Sequence, residues 1–381
     1  MRAQRRVSVW YRGWLACLLI LLAACAAPSR DEAPQTHYRQ AADEIQAIYE
    51  AALPSLPLSK RRHYAQRLYR LTGEARYLPA NRDYMASLAD RLEEDIAGLG
   101  TPGVVERRSR ESVENYPRRT AKQRARAEML AEWGEIAYAR RLLFRLVQAE
   151  YHGMLDTLPG HERALDYLGE VDWEPFLTDP EVLGVYAAQV ANQVHFLHQL
   201  GVMDLRREVE AAFRRRYPPE VVAGLDSDEY RNWLYGLTHF VIAASRYYQQ
   251  QVDAEAHGWV LQALERDADR LMVEATEDIQ AEVALSFLLV GRDDHPLVGR
   301  VRDALVAAVD PRAGIIPSPG GSTDLDSGEH RNVLAIMVLG WRGELYQGPF
   351  RWQVDYGVSG ERAGFGSAPA SCGDSSRLML R

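Results

Sequence analysis

A ten-residue motif that occurs twice, 100 residues apart, constrains the fold of this chain more than any other feature. Residues 225–234 read LDSDEYRNWL and residues 325–334 read LDSGEHRNVL, so seven of the ten positions are identical. Chance rarely gives such a match within one chain of 381 residues. The repeat therefore predicts a fold built from similar units that stack on one another.

Weaker copies of the motif set the length of the unit. The marker glutamates follow one another at steps of 48, 48 and 52 residues, at Glu181, Glu229, Glu277 and Glu329. Such a step accommodates two helices with their turns. Because one helix of each pair is apolar and the other is half polar, neither buries its face alone, and the pairs must stack.

The local pattern at these glutamates is typical of helix starts. Asp226–Glu229, Asp326–Glu329 and Thr178–Glu181 each have the spacing of a capping box. In that box the first side chain accepts a hydrogen bond from the backbone amide of the third helical residue. The Glu side chain in turn accepts one from the backbone amide of the capping residue. Pro180 suits the first turn of a helix. We therefore predict that a capped helix begins at each box.

The apolar spacing is helical along the rest of the chain, so we predict an all-α fold of about twelve helices. Apolar helices are predicted at 182–200, 233–248, 279–290 and 333–341, and charged return helices at 204–216, 253–270 and 298–309. Extended backward, the step gives about six helical hairpins. Six hairpins that close on themselves resemble an α/α toroid, the barrel of many glycan-acting enzymes. An open helical solenoid is the alternative.

The N-terminus has the pattern of an export signal. A basic start is followed by the apolar stretch from Trp14 to Ala24, whose 11 residues fall short of the about 20 that a membrane-spanning helix needs. The sequence Leu22-Ala23-Ala24-Cys25 resembles the lipobox of bacterial lipoproteins. That resemblance implies that Cys25 becomes the N-terminus and carries lipid. An ordinary secretory signal is the alternative.

Four segments follow from these patterns. They are a lipoprotein signal peptide (1–24), a lipidated Cys25 with its tether (25–36), an α-helical repeat domain (37–356) and a flexible tail (357–381). Several acyl chains make a stable anchor, so the membrane is one predicted partner. Ala26 stands after the Cys in place of Asp, and similar lipoproteins are then sorted to the outer membrane, facing the periplasm or the exterior. Beyond the lipobox the chain resembles an uncharacterised bacterial domain family, which supplies no function.

Charge and cysteine content exclude some classes of protein. Removal of residues 1–24, which hold four Arg and no acidic residue, changes the formal net charge from −8 to −12 and argues against a nucleic-acid partner. Cys17 leaves with the signal and Cys25 carries lipid, so Cys372 remains as the one free thiol and no internal disulfide forms. The mature length suffices for one large domain or two small ones.

The second copy of the motif carries the side chains with the richest chemistry. A Glu or His serves as a general acid or base, and an Arg beside an Asn binds a carboxylate or a sugar hydroxyl. We therefore predict Glu329 and His330 as catalytic residues. The predicted substrate-binding residues are Arg331, Asn332, Arg231 and Asp326. The alternative is structural: the Glu caps its helix, and the Arg and Asn bridge neighbouring repeats.

A second spacing links polar residues of successive helices. His152, His195, His239 and Glu282 are separated by 43, 44 and 43 residues, and they form a polar ring if the helix phases agree. Tyr235 shares a helix face with His239, and we predict both as catalytic. A set of Tyr, His, Asn and Arg resembles the catalytic groups of toroidal polysaccharide lyases, which remove a proton beside a uronate carboxylate. A hydrogen-bonded core position is the alternative for each His.

One pair of histidines has the spacing of metal ligands. His195 and His198 have the spacing of a metal pair, but no third ligand follows at a convincing spacing, so we predict neither a metal nor a cofactor.

Eight basic residues lie between Arg107 and Arg126. They suit anionic lipid, an acidic polysaccharide or one solvated helix face.

Two functions remain open from the sequence. The first is an envelope enzyme, either a glycoside hydrolase or a polysaccharide lyase-like protein, with its site at the mouth of a toroid. The second is a non-catalytic helical-repeat lipoprotein that binds or scaffolds an envelope partner. Convergence of the ring residues with His330 would favour the enzyme, and scattering would remove most of its support.

Overall fold

The computed structural model describes residues 32–357. Within that range the chain forms eighteen α-helices and no strand, which confirms the predicted all-α fold. The first eight are α1 (Glu32–Ala52), α2 (Leu58–Thr72), α3 (Pro79–Gly98), α4 (Val104–Glu114), α5 (Ala121–Glu132), α6 (Ile136–Tyr151), α7 (His161–Glu170) and α8 (Trp173–Thr178). The others are α9 (Pro180–Gln199), α10 (Arg206–Arg216), α11 (Pro219–Ala223), α12 (Ser227–Ala244), α13 (Gly258–Arg266), α14 (Ala268–Glu274), α15 (Glu277–Leu289), α16 (Pro296–Ala307), α17 (Leu325–Leu339) and α18 (Arg351–Tyr356).

Seven of these helices pack in a closed circuit. The contacts run from α2 to α17, α15, α12, α9 and α6, and return through α3 to α2. Helix α1 packs on α17 and α16, so the beginning of the described chain joins its last repeats. Whether this circuit is a regular toroid of inner and outer helices stays a prediction.

The helices of the circuit are buried because most of their faces are apolar. In α15 every residue from Ile279 to Leu289 is buried. Helices α12 and α9 approach closely, since a Cβ added to Gly236 would lie only 2.9 Å from the Ala187 Cβ. A polar side chain in such surroundings costs free energy unless it finds a partner. The partners of the few polar residues in the circuit are therefore informative.

The helices predicted from the repeat are present, with shifted bounds. Helices α9, α12, α15 and α17 are the apolar members, and α10, α13, α14 and α16 form the charged returns. The predicted helix 233–248 ends at Ala244, because residues 245–248 form a tight turn. The expected number of about twelve helices was too low, because apolar spacing cannot separate short helices from their neighbours. Residues 253–270, for example, hold two helices.

Two of the three predicted capping boxes are wrong. The box at α12 is confirmed: Asp226 caps the helix and Glu229 bonds back to the Asp226 amide at 3.2 Å. Helix α17 instead begins two residues early, with Asp324 as its cap, so Glu329 lies inside the helix. Helix α9 is capped by Asp179, because a carboxylate caps better than the neighbouring hydroxyl.

The basic run at 107–126 does not lie on one helix. It is divided between α4 and α5, and Arg118, in the turn between them, donates hydrogen bonds to the carbonyls of Val113 and Glu114. Arg108 is largely buried, 3.6 Å from the Asp95 carboxylate. The run is therefore partly structural, and the interpretation as one solvated helix face is wrong.

Several predictions fall on parts of the chain outside the described residues. These are the signal peptide 1–24, Cys25 and residues 358–381 of the predicted tail. Helix α1 already begins at Glu32, inside the stretch 25–36 that was predicted as a tether. Among the described helices, none combines the length and the apolar character that crossing a bilayer requires.

Candidate functional site

Five ionisable side chains from four helices of the circuit meet in one place. They are His63 on α2, His239 on α12, Glu282 on α15, and Glu329 and His330 on α17. We call them the imidazole cluster. The His63 and His330 rings, whose centroids are 5.3 Å apart, join its two halves.

Glu282 lies between two imidazoles. Its Oε1 is 3.7 Å from Nε2 of His239 and 3.7 Å from Nε2 of His330. The other oxygen accepts a hydrogen bond from the Thr238 hydroxyl at 2.8 Å. Burial by itself would raise the pKa of Glu282, but the two imidazoles outweigh it and hold that pKa below its usual range. Glu282 is therefore ionised at neutral pH and can orient both rings.

Glu329 holds the third imidazole. Its Oε1 is 2.6 Å from Nδ1 of His63, and its Oε2 is 3.8 Å from Nζ of Lys60. Burial raises the pKa of Glu329. Burial, and then the positive charge of Arg67, lowers the pKa of His63 well below its ordinary value. His63 is therefore neutral at pH 7. With Nδ1 donating to Glu329, its Nε2 carries a lone pair.

Solvent reaches the imidazoles but hardly reaches the carboxylates. The side chains of Glu282 and Glu329 are 3% and 1% exposed. Those of His63, His239 and His330 are 20%, 16% and 38% exposed. A molecule that approaches the cluster from solvent therefore meets the rings before it meets the carboxylates. A buried carboxylate that orients an accessible His is a recurrent arrangement in acid–base catalysis.

Asn192 on α9 extends the cluster. Its Oδ1 is 2.9 Å from Nδ1 of His239 and accepts a hydrogen bond when that nitrogen carries the hydrogen. Asn192 also hydrogen-bonds the side chain of Tyr247, whose ring centroid is 6.3 Å from that of His239. A Tyr, an Asn and a His therefore lie side by side at this edge of the cluster.

The turn that follows α12 has a strained backbone. Arg246, Tyr247 and Tyr248 have φ angles of 54°, 56° and 70°, in the left-handed region. Each such residue costs about 1 kcal/mol or more. The Ser245 hydroxyl supports the turn by accepting a hydrogen bond from the Tyr248 amide at 2.8 Å. Strain of this kind persists mainly where function requires it.

A family model described as Domain of unknown function (DUF3541) matches residues 38–355, which is most of the chain. The chain belongs to the DUF3541 family. This confirms the predicted membership of an uncharacterised domain family. No curated protein and no solved structure matches the chain. The DUF3541 match includes every helix that contributes to the imidazole cluster.

The structure places the predicted catalytic residues of this DUF3541 chain together. His239, His330 and Glu329 are members of the cluster, and the Tyr235 ring lies 6.4 Å from the His239 ring. The Tyr235 hydroxyl donates a hydrogen bond to Asp278 at 2.5 Å. Burial and the Asp278 charge raise the pKa of Tyr235, so this phenol stays protonated.

The predicted substrate-binding residues have other partners. Arg331 lies with its Nε 3.5 Å from the Glu277 carboxylate. Asn332 is fully buried and exchanges hydrogen bonds with the backbone of Ile316. Arg231 bonds the Glu274 carbonyl. Asp326 lies in the first turn of α17, and no contact within the described range joins it to the cluster. These contacts resemble the structural alternative more than a ligand site.

The spacing of 43 and 44 residues brings together only His239 and Glu282. His195 packs on the Phe240 ring, and Nδ1 of His152 is 2.7 Å from the Pro349 carbonyl. Burial lowers the pKa of His152 and of His195 to about 3. The backbone of α9 is irregular at Tyr186, which changes the phase of the helix beyond it. The predicted four-membered polar ring is therefore wrong.

Sequence reasoning missed His63 and Asn192. A signal for His63 was present, since Lys60, His63, Arg67 and Arg70 recur at helical spacing along α2. No comparable signal marked Asn192, because its pairing depends on how α9 crosses α12.

The two closely spaced histidines of α9 have separate surroundings. His195 is buried beside Phe240, while His198 is exposed, with its Nδ1 3.5 Å from the Asp204 carboxylate. In the described part of the chain, no group of three or more His, Cys, Asp or Glu is placed to hold a metal ion.

Proposed function

We propose that this protein is a glycan-acting enzyme whose acid and base groups are the histidines of the imidazole cluster. One observation carries the proposal: three accessible imidazoles lie near buried carboxylates, His63 at 2.6 Å from Glu329 and both His239 and His330 at 3.7 Å from Glu282. Imidazole is the side chain whose protonation changes most readily near neutral pH, so such rings can accept and donate protons during a reaction.

The exposure of the side chains favours β-elimination over hydrolysis. Most glycoside hydrolases need two carboxyl groups that both reach the sugar. Here Glu282 and Glu329 are covered by their own hydrogen-bond partners, and the imidazoles are what a substrate would touch. The polar set beside them, with Asn192 and Tyr247, is similar in kind to the groups of toroidal polysaccharide lyases.

We assign the roles of the two histidines from their surroundings. In β-elimination a base removes the proton beside a uronate carboxylate, the electron pair forms a C=C bond, and the C–O bond in the β position breaks. Neutral His63, with the lone pair on Nε2, suits the base. His330, which is the most exposed ring and lies beside ionised Glu282, suits the acid that protonates the departing oxygen.

An activity screen tests this function. Uronate polymers, neutral glycans and peptidoglycan are incubated with the chain that begins at Ala26. Reducing ends and the ultraviolet absorbance of an unsaturated sugar are both recorded. We expect both signals to rise together on one uronate polymer. His63→Ala and His330→Ala should each reduce turnover by about 100-fold or more.

Controls separate the outcomes of this screen. His37→Ala alters an exposed His on α1 and should leave turnover unchanged. Reducing ends without ultraviolet absorbance would show hydrolysis and contradict β-elimination. Unchanged turnover in His63→Ala, His239→Ala and His330→Ala would contradict the site.

We also propose that the enzyme acts at the outer membrane, facing the periplasm or the exterior and held by lipid on Cys25. The support is the lipobox Leu22-Ala23-Ala24-Cys25 behind a short apolar stretch. Labelling of cells with radioactive palmitate should mark the protein, and Cys25→Ser should abolish the label. Label that persists in Cys25→Ser would overturn the anchor.

A further inference from the structure

One face of α2 carries a row of basic side chains. Lys60, His63, Arg67 and Arg70 follow at spacings of three or four residues and therefore share a face. We call these four residues the basic row. The helix contains five Lys and Arg residues and no acidic one. The row begins at the imidazole cluster and continues to the strained turn, where the Arg70 Nη1 donates to the Tyr247 carbonyl at 2.8 Å.

Within the described residues neither Arg67 nor Arg70 has an anionic partner, and Arg67 also has no hydrogen-bond acceptor. It is 7% exposed. Across the described residues it forms no ion pair and no hydrogen bond, and its Nε is buried without an acceptor. The Tyr248 ring lies beside it, with its centroid 5.7 Å from the guanidinium carbon. A guanidinium that is removed from water without an anion is costly, so a fold seldom retains one without a reason.

Burial raises the pKa of Glu329 and the charge of Arg67 lowers it in part, but within the described residues no ion pair joins the two side chains. Glu329 is bonded to His63, and Glu282 is shared by two imidazoles. Arg70 lies 2% exposed, and both of its hydrogen bonds go to backbone carbonyls. Burial lowers the pKa of Arg70 to about 9. The two buried carboxylates near Arg67 are thus already engaged by the imidazoles and by Lys60.

We propose that Arg67 binds the carboxylate of a hexuronate residue of the glycan substrate. This rests on the proposed function, because it places that carboxylate one helical turn from His63, the proposed base. A guanidinium binds a carboxylate with two parallel hydrogen bonds, which fixes the orientation of the sugar ring. The strained turn keeps the Tyr248 ring beside Arg67 and so limits the directions that the guanidinium can take.

Equilibrium binding tests this subsite. Calorimetric titrations use trisaccharides of galacturonate, mannuronate and glucuronate, each also with its carboxyl groups reduced to neutral alcohols. His330→Ala serves as the background so that the probe is not consumed. At least one uronate should bind, and Arg67→Gln should weaken it by about 10- to 100-fold, to the level of its reduced form. Arg67→Lys should be intermediate, and Arg39→Gln, on the exposed face of α1, should change nothing.

A second readout separates this role from a structural one. In the absence of ligand, Arg67→Met removes an unpaired buried charge and should raise the Tm by about 2 °C or more. An arginine whose role is structural would give the opposite shift, so a lower Tm in both Arg67→Met and Arg67→Gln would count against the subsite.

Two results overturn the subsite: no uronate binds, or Arg67→Gln binds the uronate as tightly as the unchanged protein does. The subsite and the enzyme proposal fail separately. Uronate binding that depends on Arg67, without turnover of any glycan, supports the subsite and overturns the enzyme. Turnover that is indifferent to Arg67 and to carboxyl reduction supports the enzyme and overturns the subsite.

Discussion

At the residue scale, the histidines of this chain divide by their surroundings. His152 and His195 are buried, with pKa values lowered to about 3, and they contribute packing. His63, His239 and His330 reach solvent, and each faces a carboxylate. A histidine of this chain is thus either a buried core residue or a candidate catalytic residue. The candidates are those that contact both solvent and a carboxylate.

The buried histidines predict a loss of stability in acid. An unfolded His takes up a proton near pH 6.5, whereas folded His195 resists protonation until about pH 3. The unfolded chain therefore binds more protons as the pH falls, and stability that is complete above pH 6.5 is lost progressively down to about 3. At pH 5 this loss is about 2 kcal/mol for one such His.

Thermal unfolding at pH about 7.5 and about 5 measures this loss. The fall in Tm should be smaller in His195→Phe, which cannot be protonated, than in the unchanged chain. The Tm of His37→Phe, which alters an exposed position of α1, should fall as much as that of the unchanged chain. Equal falls in all three would contradict the assignment of His195 as a neutral core residue.

At the element scale, the two copies of the motif share one role and differ in another. Asn232 and Asn332 both connect helices to neighbouring backbone, the first through the carbonyls of Leu183 and Gly184 and the second through Ile316. Glu229 caps α12, whereas Glu329 is drawn into the interior by His63. The Asn therefore has the same bridging role in both copies, whereas the Glu caps a helix in one copy and contacts His63 in the other.

The cap of α9 gives a direct test at this scale. Asp179 accepts hydrogen bonds from the Glu181 and Val182 amides at 2.8 and 2.9 Å. Asp179→Ala should therefore lower the free energy of unfolding by about 1 kcal/mol, measured by urea denaturation. Thr178→Ala should cost less, because this hydroxyl bonds only the Glu174 carbonyl of the preceding helix. A larger loss of unfolding free energy in Thr178→Ala than in Asp179→Ala would instead support the capping box predicted from the sequence.

At the scale of the whole molecule, closure of the helical circuit creates the site. His63 and Glu329 are 266 residues apart in sequence, and they meet because α2 packs on α17. Helix α1 reinforces this junction. Its Ala42, Ile45 and Tyr49 are buried, and the Tyr38 hydroxyl donates to Asp303 on α16 at 2.6 Å.

The junction is predicted to be important for stability. Ile45 is fully buried on α1, so Ile45→Ala should lower the free energy of unfolding by about 2–4 kcal/mol, measured by urea denaturation. Gln40→Ala, on the exposed side of the same helix, should change it by less than about 0.5 kcal/mol. Equal effects would mean that the packing of α1 does not stabilise this junction.

The sequence by itself determined the all-α class, the stacked repeat, the apolar helices and the choice of His239, Glu329 and His330 as candidate site residues. These follow from local rules, since hydrophobic spacing and a repeated motif are visible along the chain. Helix caps were less certain, because several Asp and Thr residues compete at each start. Only the tertiary structure decided that Glu329 leaves its cap for His63, that Asn192 rather than His195 faces His239, and that Arg67 lies unpaired beside them. Those contacts depend on the rotational phase of each helix and on closure of the helical circuit, which joins residues hundreds of positions apart. A local sequence pattern predicts neither of these.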